Sequence, residues 1–379
     1  MLTKNAIIDE AIRLGFEDVG FTTAETFAAQ REYLQNHQEE YGWTEKVGLG
    51  LINGTDPRVV MPAAKSIIVL MEGYFREAFP LKLESHFGRF YLDDDRVTKD
   101  GLALRIKAFR DFLRKDGIDS KVPFSLPHRS AAARAGMGTM GKNALFYSGR
   151  AARKSSWVLP LTVVVDREFE PDPPAGGIEC PAWCRNVCIA ACPTKAIKGN
   201  GAIDPRLCVS FMTYYGKEIT PREWREPMGL YVYGCDRCQN VCPRNIPWFS
   251  CERPVNARAA AKEKDFDLRA LLHMDAAYFQ KRIWPHMFYL SSTNLWKWKM
   301  NVARAMGNSQ DDSYLPDLIR AWDENGDART RGMIAWAIGR IGGGRARAAL
   351  NRFLVGSEGA VREEIQAALD EVDAAGKTR

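Results

Sequence analysis

Apolar residues follow two different periods in the N-terminal part of the chain. Spacings of three and four positions predict amphipathic helices at Asn5–Leu14 and Leu102–Arg114. Shorter runs rich in β-branched and apolar residues predict buried strands at Asp18–Phe21, Ser66–Met71 and Trp157–Val165. The last of these is the longest apolar run, and it is far too short to cross a bilayer. The pattern therefore predicts a layered α/β domain.

The last third of the chain has an almost wholly helical pattern and contains an internal repeat. Ala303–Asn308 and Ala335–Arg340 superimpose with an offset of 32 residues, and Leu318 and Leu350 follow at the same phase. Helix pairs with such a period are typical of short HEAT-type α-solenoids, which are interaction surfaces more often than catalysts. Val361–Leu369 is predicted to form the last helix.

Eight of the nine cysteines lie in one stretch of the chain. They form the series Cys180-x3-Cys184-x3-Cys188-x3-Cys192-Pro193, Cys208 and Cys235-x2-Cys238-x3-Cys242-Pro243. Two runs that each close on Cys-Pro are typical of two [4Fe–4S] clusters, in which the last cysteine of each run serves the cluster of the other run. The first ligand set is then Cys180, Cys184, Cys188 and Cys242, and the second is Cys192, Cys208, Cys235 and Cys238.

Cysteines in such numbers have two other common uses. A disulfide scaffold is typical of small secreted chains and does not suit 379 residues without a signal peptide. Two zinc sites of four thiolates each remain an alternative, although zinc ribbons usually pair separated Cys-x2-Cys knuckles. Cys251 lies outside the pattern and is expected to be a free thiol.

A Pro/Gly-rich segment at Pro171–Gly177 indicates a domain boundary. The cysteine-rich stretch after it has little core of its own, so bound metal must supply much of its folding free energy. We predict an α+β chain of three parts: an α/β domain (1–166), a double-cluster ferredoxin-like module (167–255) and a HEAT-like helical domain (256–379).

The segment Gly136-x-Gly138-x-x-Gly141 has the spacing of a dinucleotide-binding loop. That loop must follow a strand and open a helix, whereas Ser130–Ala135 before it is Ala-rich and helix-prone. We expect the glycines to end a helix and to let the backbone pass close to something flat. A nicotinamide or flavin nucleotide remains a minor alternative.

The net charge of +6 permits a nucleic-acid partner without requiring one. Trp296-Lys297-Trp298-Lys299 interleaves aromatic and basic residues in a way that suits stacking and phosphate contacts on unpaired RNA. The alternative is that both tryptophans pack in a helix interface and both lysines are solvated. The N-terminal helix is unlike a secretory or transit peptide, so we expect a cytoplasmic protein with no membrane contact.

Together these features resemble the epoxyqueuosine reductase family and, more distantly, the reductive dehalogenases. The resemblance covers nearly the whole chain. The motifs that carry it are Asp56–Arg58, Pro62–Ser66, Arg134–Gly138, Gly141–Asn143, Cys192–Ala196, Tyr233–Gln239, Ala305–Asn308, Ala335–Gly339 and Val361–Glu364.

The resemblance implies a nitroreductase-like N-terminal domain that binds cobalamin base-off, and two clusters that receive electrons from a flavodoxin or ferredoxin. The substrate would be epoxyqueuosine in tRNA, with the solenoid and a basic face holding the anticodon arm. The residues expected near the corrinoid are Arg129, Arg134, Gly136, Gly138, Gly141, Lys142 and Asn143.

The chain departs from the family where the substrate should bind. The first cysteine run has x3 gaps in place of x2, and the family's Asp-Thr-x-Pro segment becomes Asp119-Ser120 with extra residues before Pro123. A reduction of this kind needs a proton donor, and the candidates are Asp119 by position, His128 by its near-neutral titration, and Tyr91.

The altered segment leaves two further hypotheses open. The same cofactors could reduce a small molecule such as an organohalide, a tetrapyrrole or an activated alkene. The chain could also be an electron-transfer module that reduces the corrinoid of another protein. The altered Asp119–Arg129 segment favours the small-molecule substrate, whereas retention of the helical tail favours the tRNA substrate.

Overall fold

The computed structural model describes residues 2–94, 97–177 and 179–377. The strands are β1 (Asp18–Thr23), β2 (Ser66–Gly73), β3 (Ser120–Lys121), β4 (Gly138–Met140), β5 (Phe146–Ser148) and β6 (Val158–Val165). The helices are α1 (Lys4–Arg13), α2 (Ala28–Asn36), α3 (Gln38–Tyr41), α4 (Trp43–Lys46), α5 (Pro57–Val60), α6 (Leu81–Glu84), α7 (Arg89–Leu92), α8 (Gly101–Lys115), α9 (His128–Arg134), α10 (Val187–Ala191), α11 (Val209–Tyr214), α12 (Arg222–Arg225), α13 (Arg237–Asn240), α14 (Ile246–Phe249), α15 (Ala257–Lys262), α16 (Leu268–His273), α17 (Ala276–Tyr278), α18 (Leu295–Ser309), α19 (Leu315–Glu324), α20 (Ala328–Ile341), α21 (Gly343–Leu354) and α22 (Gly359–Lys377).

The chain forms two units. The first comprises residues 1–76, 98–208 and 237–253, and the second comprises residues 77–97, 209–236 and 254–379. No helix among the described residues is long and apolar enough to cross a membrane.

A four-stranded antiparallel sheet organises the first unit, with the strand order β1-β2-β6-β3. Every residue of the central strand β2 is buried. Because side chains alternate between the two faces of a strand, Ile68 and Leu70 join one core with Ile7 of α1 and Phe109 of α8. Helix α9 packs against β6, β2 and β1. The sheet is therefore covered by helices, as the apolar pattern predicted.

The predicted helices and strands of the first unit are confirmed. Residues 5–14 and 102–114 lie within or overlap α1 and α8, while the three predicted strands correspond to β1, β2 and β6. The short edge strand β3 was not predicted, because two residues carry no periodicity.

The glycine segment does not form a dinucleotide-binding loop. Helix α9 ends at Arg134, and Gly136 follows with φ +69°, the left-handed conformation common after a helix. The chain then forms the hairpin β4–β5, in which Thr139 pairs with Tyr147. The prediction that the glycines end a helix is confirmed.

The sequence repeat in the second unit marks close helix crossings. A Cβ atom on Gly307 of α18 would lie 2.7 Å from Cα of Ala337 in α20. At the same phase, a Cβ atom on Gly339 of α20 would lie 3.0 Å from Cα of Ala368 in α22. The glycines let α18, α20 and α22 approach closely, and this repeated contact explains the 32-residue offset.

Candidate metal centre

The first cysteine run is shaped by two left-handed residues. Cys184 ends a single 3-10 turn, and Arg185 and Asn186 follow with φ of 49° and 60° before Cys188 enters α10. This sharp turn accommodates the longer x3 gap. Cys184 and Cys188 are buried, whereas Cys180 is half-buried.

The first ligand set gathers in one place. Burial raises the pKa of the Cys188 thiol, and the neighbouring thiols of Cys184, Cys242 and Cys180 raise it further. These four residues are the set that the spacing predicted. All four lie in the first unit.

Among the described residues, no group of three or more Cys, His, Asp or Glu side chains is placed to hold a metal ion. The preference for clusters over zinc rests on the two cysteine runs that each close on Cys-Pro.

The second ligand set is supported by an apolar cluster and backbone donors. Cys192, Cys208 and Cys238 pack with Ala196 in the first unit, and the Ala196 N–H lies 3.3 Å from Cys192 Sγ. Cys235, the fourth predicted member, belongs to the second unit.

Two buried amides anchor the second run. Asn245 Nδ2 donates to Ser156 Oγ at 2.8 Å, and its Oδ1 accepts from the Ser156 N–H at 3.0 Å. Gln239 Nε2 donates to Ser156 Oγ at 3.0 Å and to Tyr74 Oη at 3.0 Å. The loop that carries Cys242 is thereby held at the start of β6. Gln239 therefore supports the loop that carries Cys242.

A tyrosine that the sequence analysis missed contacts a predicted ligand. The Tyr147 hydroxyl donates to Cys242 Sγ at 3.0 Å and accepts from Asn143 Nδ2 at 3.1 Å. The Lys142 N–H points at Cys180 Sγ, 3.5 Å away. Burial, followed by the charge of Cys242, raises the pKa of Tyr147, so its hydroxyl keeps its proton. A lone tyrosine belongs to no motif, and the preceding Gly141-Lys142-Asn143 was the sequence signal nearest to it.

The three glycines contact the chain itself. A Cβ atom on Gly136 would lie 2.3 Å from the Pro173 carbonyl oxygen, and one on Gly138 would lie 2.1 Å from the Tyr147 carbonyl oxygen. On Gly141 it would lie 2.4 Å from the Tyr147 ring. Protein packing alone therefore requires glycine at these positions, and no flat cofactor is needed to explain them.

The two arginines expected near a corrinoid differ in their surroundings. Arg134 Nε and Nη2 donate to Thr22 Oγ1 and to the Thr23 carbonyl at 2.9 and 2.7 Å, and its guanidinium stacks on Phe27. Arg129 is exposed and donates to the Ala144 carbonyl at 2.7 Å. Arg134 therefore has a structural role, while Arg129 lies at the surface.

Two of the proposed proton donors lie at different points along β6. The His128 Nδ1 atom lies 2.9 Å from Thr162 Oγ1 and accepts from the Thr162 N–H at 3.3 Å, which places the proton of a neutral ring on Nε2. Asp119 is exposed, and its N–H donates to Asp166 Oδ1 at 3.0 Å. Four residues along a strand span about 13 Å, so these contacts do not bring the two donors together.

The third proposed donor, Tyr91, lies inside an aromatic cluster of the second unit. Its ring is 4.8 Å from Tyr233, and its hydroxyl is 3.3 Å from the Tyr214 hydroxyl and 3.4 Å from Ser210 Oγ. Burial raises the pKa of Tyr91 well above its ordinary value. These contacts are typical of a packing tyrosine.

The predicted RNA-binding tetrapeptide does not form one exposed face. Lys297 is buried and donates to the Gly216 carbonyl at 3.1 Å, and buried Trp298 stacks on Tyr233. Trp296 and Lys299 are half-buried. The prediction is wrong for Lys297 and Trp298, because four successive residues of a helix point in four directions.

Two family models match the chain. A model described as a 4Fe-4S double cluster binding domain matches residues 180–245, and one described as HEAT repeats matches residues 289–370. The first spans all eight cysteines of the two predicted sets. The second covers α18 to α21 and much of α22.

Relatives of known name match the whole architecture. Epoxyqueuosine reductase from Lactococcus garvieae is 30% identical over 336 residues, which cover 83% of this chain and 89% of the relative. The solved Bacillus subtilis epoxyqueuosine reductase, whose aspartate-bearing catalytic loop is swung out of the active site, has a TM-score of 0.80 at 27% identity and covers 97% of this chain and 98% of its own. An epoxyqueuosine reductase bound to an epoxyqueuosine-modified tRNA-Tyr stem loop has a TM-score of 0.78 at 27% identity, with 98% of each chain covered. The chain belongs to the epoxyqueuosine reductase family of oxidoreductases.

Proposed function

We propose that this protein reduces epoxyqueuosine to queuosine in tRNA, using two [4Fe–4S] clusters and base-off cobalamin. The observation that carries the proposal is the match over 98% of both chains to a reductase crystallised with an epoxyqueuosine-modified stem loop. The match includes the helical tail, which a small-molecule reductase or an electron carrier would not need. Reduced thiols and clusters also favour a cytoplasmic location.

The iron–sulfur part of the proposal rests on the ligand geometry. The first ligand set gathers around Cys188, and N–H and O–H donors point at the sulfurs of Cys180, Cys192 and Cys242. Donors of this kind suit thiolates that carry the negative charge of a cluster. We propose that the two sets hold one cluster each.

The corrinoid part of the proposal rests on the family. When bound, cobalamin would supply the low-potential centre that reduces the epoxide. The nitroreductase-like character of the N-terminal domain belongs to the same proposal. Among the residues expected near the corrinoid, Arg129 is exposed and donates to the Ala144 carbonyl, whereas Arg134 is half-buried and donates to Thr22, and the glycines pack against the chain.

We propose Asp119 as the proton donor. It lies between α8 and α9 in an exposed stretch that is tied to the sheet by the two-residue strand β3. A loop with so little pairing can move, as the aspartate-bearing loop of the Bacillus subtilis enzyme does. His128 is the weaker candidate, since Nδ1 is already held by Thr162.

The electron donor is proposed to be a flavodoxin or ferredoxin. Trp183 lies between the ligands Cys180 and Cys184 and is 66% exposed. Exposed Arg185 and the half-buried Lys142 lie close by, since Lys142 Nζ donates to Asn186 Oδ1 at 2.6 Å. An apolar contact with basic neighbours beside a cluster suits an acidic one-electron carrier.

The test is anaerobic reconstitution with iron, sulfide and cobalamin, followed by turnover of an epoxyqueuosine-modified stem loop. We expect about eight irons and one cobalt per chain and formation of queuosine. Asp119→Asn should keep the metals and lose turnover by about 100-fold, whereas His128→Asn should retain most of it. Full iron and cobalt content without turnover of the RNA would favour a small-molecule substrate. Eight irons without cobalt would instead favour the electron-transfer module.

A further inference from the structure

The β4–β5 hairpin presents a chain of hydrogen-bond donors to the first ligand set. Its loop runs from Gly141 to Leu145 and closes with the Gly141 N–H donating to the Leu145 carbonyl at 2.8 Å. Asn143 donates to the Tyr147 hydroxyl, and that hydroxyl donates to Cys242 Sγ. Both residues are almost fully buried, with exposed fractions of 4% for Asn143 and 2% for Tyr147.

The hairpin is built to hold this tyrosine in place. Gly138 and Gly141 leave room for the Tyr147 backbone and ring, where any side chain would collide. The Arg244 guanidinium covers the ring at 4.5 Å from its centre. Because the Tyr147 oxygen accepts from Asn143, its own proton is directed to the sulfur. The glycine motif therefore has a specific structural consequence, because it fixes the O–H···S contact between Tyr147 and Cys242.

Such a contact acts on the reduction potential of a cluster. One-electron reduction adds negative charge that is shared by the cluster and its thiolate sulfurs. A hydrogen bond to a sulfur stabilises this reduced state more than the oxidised state, which raises the potential. Since burial keeps water away from the site, the hydroxyl has little competition.

We propose that Tyr147, oriented by Asn143, is a positioning residue that raises the reduction potential of the cluster held by Cys242. The proposal rests on the first ligand set proposed above and deepens it. One electron enters the cluster, the proton stays on the tyrosine oxygen, and no covalent bond changes. The Lys142 N–H to Cys180 contact acts in the same direction and is unaffected by side-chain substitution at position 147.

The experiment is a redox titration of the reconstituted holoenzyme followed by EPR. Tyr147→Phe removes only the hydroxyl and should make the midpoint potential of one cluster more negative, with the other cluster and the iron content unchanged. Asn143→Leu should shift the same midpoint in the same direction by a smaller amount. Tyr278→Phe is the matched control, because its hydroxyl donates to the Asp265 carbonyl instead of a thiol. It should move neither midpoint.

A second variant keeps the proposal testable if Tyr147→Phe loses its clusters. 3-Fluorotyrosine placed at position 147 keeps the ring and its packing but makes the hydroxyl a stronger donor, so the midpoint should become less negative. Unchanged midpoints with full iron content in both variants would overturn the proposal. The titration needs no RNA, so its outcome is independent of whether epoxyqueuosine is the substrate.

Discussion

Burial turns Lys297 from a predicted RNA contact into a residue that costs stability. The fold leaves 3% of it exposed, and burial lowers its pKa from 10.5 to about 8. The unfolded chain therefore binds more protons than the folded protein between pH 8 and 10.5, so stability should rise with pH through that window. The cost of keeping this lysine charged at pH 7 is about 3 kcal/mol, since one pKa unit is about 1.4 kcal/mol.

Lys297→Met should remove this cost and most of the associated pH dependence. We expect the thermal midpoint of the variant to exceed that of the parent at pH 7, and the two to converge as pH approaches 10.5. Circular dichroism melts at several pH values measure this difference. The exposed Lys281→Met is the control and should leave the pH dependence as in the parent. A constant difference across the range would contradict the burial argument.

A buried ion pair fastens the last helix. Glu364 of α22 accepts from Arg225 Nη1 and Nη2 at 2.8 and 2.6 Å, and Arg222 contacts the same carboxylate. Arg225 is only 1% exposed. The two arginines outweigh the effect of burial and lower the pKa of Glu364, so the pair is ionic at neutral pH.

Glu364→Gln should destabilise the second unit by about 3 kcal/mol, because it leaves a buried guanidinium without its counter-charge. The neighbouring Glu363→Gln is matched in chemistry and lies on the exposed side of the same helix. It should cost no more than a few tenths of a kcal/mol, roughly the range of surface substitutions. Thermal melts followed at the helical CD signal compare the two, and equal losses would mean that the ion pair contributes nothing.

Elements with a long periodic pattern could be predicted from the sequence, and single contacts could not. The helix that carries Ala335–Arg340 was located by the 32-residue repeat, and strand β2 by its continuous run of apolar and β-branched residues. The prediction of an RNA-binding face at Trp296–Lys299 was wrong for Lys297 and Trp298, because four residues are too few to show which side of a helix faces the solvent. Tyr147 was missed because its partner, Cys242, lies 95 residues away in the chain. Side chains that meet only through tertiary folding leave no local pattern.

At the scale of the whole molecule, the two cysteine runs are joined by crossing ligands. Cys188 and Cys192 are close in the sequence but are assigned to different clusters, while Cys188 and the distant Cys242 are assigned to the same one. The Cys242 thiol is among those that raise the pKa of Cys188, so these two residues lie near each other in the first unit. The first cluster would thus tie together both cysteine runs within the first unit, so its loss should loosen both.

Cysteine-to-alanine variants test the crossing directly. We expect Cys188→Ala and Cys242→Ala to abolish the same EPR signal, and Cys192→Ala and Cys238→Ala to abolish the other. The double variant Cys188→Ala/Cys242→Ala should lose no more iron than either single variant, since both residues serve one cluster. If Cys188→Ala and Cys192→Ala removed the same signal, each run would hold its own cluster. Tyr147 would then act on the cluster of the second run, while the Lys142 N–H of the same hairpin would contact a ligand of the first run's cluster.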